Sequence, residues 1–150
     1  MLKRVKRHTP IAYQQLITCF DCFDLMTEAG IAENLSLKVF DHVVNVYASN
    51  FHAGKRVPVS RAAQRLLDNG GTKRDIILEH GTPRRALTLL LMKERRANTL
   101  TEARAKAIME THWAIAHITR EEDQRLRDRG PNSKMMMTPH ARWAAAEIEF

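Results

Sequence analysis

The pair Thr-Pro occurs three times in this chain, at Thr9-Pro10, Thr82-Pro83 and Thr138-Pro139, and each reads as the start of a helix. A threonine hydroxyl accepts from an orphan N–H of the first turn, and a proline at the first helical position has no N–H to leave unsatisfied. Ser60 offers the same kind of cap, and Thr99 with Glu102 and Thr119 with Glu122 have the spacing of a capping box. The stops are equally clear at Gly30, Asn69-Gly70-Gly71, Asn98 and Gly130-Pro131. A chain punctuated this way is patterned mostly for helix, with only two segments that read as strand.

Apolar spacing fills in the helices at about 10–29, 33–51, 60–68, 83–97, 100–111, 119–129 and 139–147. The first is expected to bury Leu16, Ile17, Cys19, Phe20, Phe23 and Met26. The second carries Leu35, Val39, Val43 and Val46 beside Leu37, Phe40, Val44 and Tyr47, a stripe wide enough for two neighbours. Phe51 to Pro58 reads as a loop. Two segments, about 74–79 and 113–118, read as strands, and the two helices between them allow either polarity. The expected fold is α+β: a helix-dominated single domain, residues 1–150, with a small two-stranded sheet. A basic arm (1–8), a helical part (9–69) and an α+β part (70–150) divide it.

With 24 Lys and Arg against 17 Asp and Glu, the chain carries +7, and Lys3, Arg4, Lys6 and Arg7 crowd its start. Residues 61–150 contribute +5 of that charge, while residues 9–60 are slightly acidic. This balance suits a polyanionic partner, usually nucleic acid. No apolar run is long enough to span a membrane, and no signal-peptide pattern opens the chain. Cys19 and Cys22 are the only cysteines, which speaks against a disulfide framework and for the cytoplasm. Their Cys-x-x-Cys spacing falls within a helix and lacks the further ligands that zinc needs.

The strand-end pair Glu79-His80 is the first candidate for chemistry, since carboxylate and imidazole bind divalent metals and histidine is the usual base near neutral pH. Alternation places Ile76, Leu78 and His80 on one face and Ile77 and Glu79 on the other. His117 ends the second strand much as His80 ends the first, so the two imidazoles with Glu79 or Glu121 are expected to converge if the strands are neighbours in register. Glu79 and His117 would then hold a divalent metal ion while His80 activates water. The competing reading pairs Glu79 with Arg84 or Arg85 and packs His80 beside the turn. Arg84 and Arg85 occupy a first turn, where the helix dipole disfavours cations, and so call for an anion. Together with Arg95, Arg96 and Arg120 they are the expected phosphate contacts.

Three segments, Glu79-His80-x-x-Pro83, Ile118-Thr119-Arg120-Glu121-Glu122-Asp123 and Ala141-Arg142-Trp143 through Ile148-Glu149, resemble a family of small uncharacterised proteins of bacteria and their mobile elements. The first is also similar to the opening of HNH-type nuclease motifs. That resemblance implies Glu79 as metal ligand and His80 as base, although a long helix follows Pro83 where those sites continue as strand. The expected function is nucleic-acid binding, extending to a metal-dependent phosphodiesterase or nuclease. The alternative is a non-catalytic phage or mobile-element protein, an inhibitor or regulator docking on a nucleoprotein complex. A homodimer through the first two helices is a further expectation.

Overall fold

The fold is that of a computed structural model describing residues 11–51, 55–129 and 136–150. The caps expected at Thr9-Pro10 and Gly130-Pro131, and the arm 1–8, lie outside the described residues. Within them the order is α1 (Tyr13–Glu28), α2 (Glu33–Ser49), α3 (Arg61–Asp68), β1 (Ile76–His80), α4 (Arg84–Arg96), α5 (Glu102–His112), β2 (Ile115–Thr119), α6 (Arg120–Arg129) and α7 (Pro139–Ala145). The architecture is helix-dominated α+β with one two-stranded sheet.

Most of the punctuation holds at the atomic level. Ser60 and Thr138 cap α3 and α7 by accepting from the Ala63 and Ala141 amides. The Thr119–Glu122 box closes in both directions, at 2.8 and 3.1 Å. Two starts differ. Pro83 is itself the N-cap of α4, and the Thr82 hydroxyl donates instead to the Met137 carbonyl at 2.8 Å. Thr82 is buried against the segment leading into α7, so a tertiary acceptor takes its hydroxyl. In α5 the cap is Thr101, which accepts from the Arg104 amide, while Thr99 turns back to Glu94. Asn98 explains the shift: its φ of 56° ends α4 in a left-handed turn that delays the next helix.

The strands pair antiparallel, Ile76 opposite Thr119 and His80 opposite Ile115, which settles the polarity. The Gly81 N–H reaches the Ala114 carbonyl at 2.8 Å, so alternation turns the N–H and carbonyl of Leu78 to the outer edge of β1. On the far side of β2, Val59, between the segment read as loop and α3, forms a parallel bridge to His117. There His117 accepts from the Ser60 amide at 2.9 Å and donates to the Pro58 carbonyl at 2.8 Å.

This sheet separates two apolar clusters. Trp113 and Ile115 join the large one, built from Leu16, Phe20 and Phe23 of α1, Phe40, Val44 and Tyr47 of α2, Leu87 and Leu91 of α4, and Ile108 and Met109 of α5. Ala116 and Ile118 face the other way and join Leu126, Trp143, Ala146 and Ile148. The apolar stripes of α1 and α2 are narrower than their sequences suggest. Val39 is 50% exposed, Cys19, expected to be buried, is only partly so, and Cys22 is exposed.

Gly81, just after β1, lies against the start of α7. A Cβ there would stand 2.4 Å from Pro139 Cβ and 2.8 Å from the Trp143 ring. Gly81→Ala is therefore expected to cost about 3 kcal/mol, the upper end for overpacking, because a proline ring and an indole yield little. Urea denaturation measures it, and a change below about 0.5 kcal/mol, the range of an indifferent surface substitution, would show that α7 does not rest on this turn.

Candidate functional site

The end of β1 is where the candidate residues gather, and the geometry sorts them. Glu79 lies on the face of Ala116 and Ile118, opposite Ala116 in register. There its Oε1 accepts from Arg142 Nη1 of α7 at 2.7 Å, with both side chains largely buried. The same Nη1 reaches the His80 carbonyl at 2.9 Å and the Gly81 carbonyl at 3.4 Å. One guanidinium thus neutralises the carboxylate and holds the carbonyls of the following turn. Neither Arg84 nor Arg85 is the partner of Glu79.

His80 and His117 share the other face. Leu78 stands opposite His117 and His80 opposite Ile115, which makes the two histidines diagonal neighbours, about 7–8 Å apart in an antiparallel pair. The His80 ring lies 5.0 Å from that of Trp113. His117 is half-buried beneath the Pro58–Ser60 bridge, its Nδ1 buried without a hydrogen-bond partner. The expected convergence is therefore partial: two imidazoles share a face, while Glu79 is on the opposite one and engaged. Glu121 lines a shallow pocket of about 160 Å³ with Leu66, Asp75, Thr119 and Arg120, at the opposite end of the sheet from His80. Among the described residues no group of three His, Cys, Asp or Glu is placed to hold a metal ion. The pairing of Glu79 and His117 as ligands fails because side-chain alternation sends them to opposite faces.

Burial holds the His117 imidazole below its ordinary range. His112 is lowered by burial as well, against a hydrogen bond with the Met137 backbone that raises it and the nearby Arg104 charge that lowers it further. Both rings are therefore neutral at pH 7. The unfolded chain takes up protons near pH 6.5, while the folded chain resists until lower pH. Stability is then full above pH 6.5 and falls as pH drops below it, by up to about 1.4 kcal/mol per pH unit per proton, until the folded rings titrate. Urea midpoints from pH 7.5 to 5 are expected to fall less steeply for His117→Gln than for the wild-type chain. Parallel curves would remove His117 from this account.

The arginines divide more sharply. Arg85 pairs with Asp41 of α2 at 3.0 Å, half-buried, which supplies the anion that its first-turn position calls for. Arg95 meets Asp21 of α1 at 2.8 Å. Arg96 lies 3.9 Å from Asp24 and over the Phe23 ring. Three of the five expected phosphate contacts thus join α4 to the acidic faces of α1 and α2. Arg84 is exposed and has no ion pair among the described residues. Arg120 donates to the Arg74 carbonyl at 3.1 Å and remains exposed beside Asp75. Five of the 24 basic residues, Lys3, Arg4, Lys6, Arg7 and Lys134, lie outside the described residues, and none of the 17 acidic ones does. The described part therefore carries only +2.

Two roles escaped the sequence reading. Arg142 lies 63 positions from Glu79, and nothing local marks it as the partner of that carboxylate. Glu122 closes the expected box with Thr119, its Oε2 accepting from the Thr119 amide at 2.8 Å, but its link to a second helix was not legible: it is 2% exposed, and the same oxygen accepts from the Ser60 hydroxyl at 2.6 Å. Both contacts join residues more than 60 positions apart, 62 for Ser60 with Glu122 and 63 for Glu79 with Arg142, beyond the reach of local spacing. No protein-family model, curated protein or solved structure matches the chain.

Proposed function

We propose that this chain binds nucleic acid through its phosphates and does not cleave it. The observation that supports this most is the fate of the positive charge. The fold consumes Arg85, Arg95 and Arg96 in ion pairs. It leaves Arg84 and Arg120 at exposed helix starts, and the surplus is concentrated in sequence at Lys3, Arg4, Lys6 and Arg7. Arg84 follows β1 and Arg120 follows β2, so the antiparallel register sets them at opposite ends of the sheet, as two contacts on an extended backbone. Cations placed this way position a polyanion without reading its bases. The catalytic version lacks support, since Glu79 is tied to Arg142 and turned away from His117.

Fluorescence anisotropy with a labelled oligonucleotide, single- and double-stranded, over a salt series tests the reading. Wild-type protein is expected to bind at about 50 mM salt and weaken steeply towards 200 mM. Replacing Lys3, Arg4, Lys6 and Arg7 by Gln is expected to remove most of the binding. Arg84→Gln and Arg120→Gln are each expected to reduce the salt slope by about 1. His80→Ala is expected to bind as wild type, with no cleavage by either protein when Mg²⁺ or Mn²⁺ is added. No binding at low salt would sink the proposal, and metal-dependent cleavage lost in His80→Ala would restore the nuclease.

A further inference from the structure

We draw no further inference here: the strongest candidate, the outer edge of β1 centred on the exposed Leu78, offers outward backbone groups and one apolar side chain, but nothing in the structure shows what covers it.

Discussion

Arg142→Met is expected to destabilise the protein by about 3–5 kcal/mol, because it strands the buried Glu79 carboxylate without its counter-charge. For a chain of this length the loss corresponds to a fall in Tm of roughly 10 °C or more. The reverse truncation is milder. In Glu79→Gln the guanidinium keeps the His80 and Gly81 carbonyls as acceptors, and the glutamine oxygen still receives a hydrogen bond. The double variant Glu79→Gln with Arg142→Met is expected to cost less than the sum of the two, since removing both charges removes the buried imbalance. Thermal melts of the three proteins decide the matter. Equal costs for the two single variants would mean that the guanidinium's carbonyl contacts count for nothing. The same variants bear on function. A Glu79→Gln protein that is nearly as stable as wild type and still binds oligonucleotide identifies Glu79 as a fixture of the turn.

Glu122→Ala carries the second large effect. One carboxylate oxygen, inaccessible to water, serves the N-termini of α3 and α6 together, through Ser60 and through Thr119. Its loss leaves a buried hydroxyl and a buried amide unsatisfied, at about 1–3 kcal/mol for each group. A total near 3 kcal/mol is expected, allowing for partial relaxation. Glu122→Gln retains an acceptor and is expected to recover more than half. Amide exchange sharpens the test, because Ser60 also caps α3 through the Ala63 amide. Faster exchange at Ala63 as well as at Thr119 is expected in Glu122→Ala. Protection unchanged at Ala63 would separate the two helix starts and end the account of Glu122 as their link.

The helices were legible for a local reason. A cap, a proline and a left-handed residue act within a few positions of themselves, so Ser60, Thr138, Gly30 and Asn98 declare a boundary without help from distant parts of the chain. Alternation is local too, and it correctly parted Glu79 from His80. Where the reading of a cap failed, at Thr82 and Thr99, the hydroxyl found an acceptor supplied by another segment or by the preceding helix. The candidate site suffered from the same limit at longer range. That Arg85, Arg95 and Arg96 would spend their charge on α1 and α2 depends on which helix packs beside α4. The slight acidity of residues 9–60 was visible in composition, but composition does not say what it faces.

By itself, then, the sequence determined the helical content, most boundaries, the two strand segments and the parity that sets Glu79 and His80 on opposite faces. Each rests on backbone preferences with a reach of one or two turns. Tertiary structure alone decided the antiparallel register, the Val59 bridge, the burial of Glu122 and the grip of Arg142 on Glu79. Those are meetings of groups distant in the chain, and a buried charge is defined by the partner that reaches it.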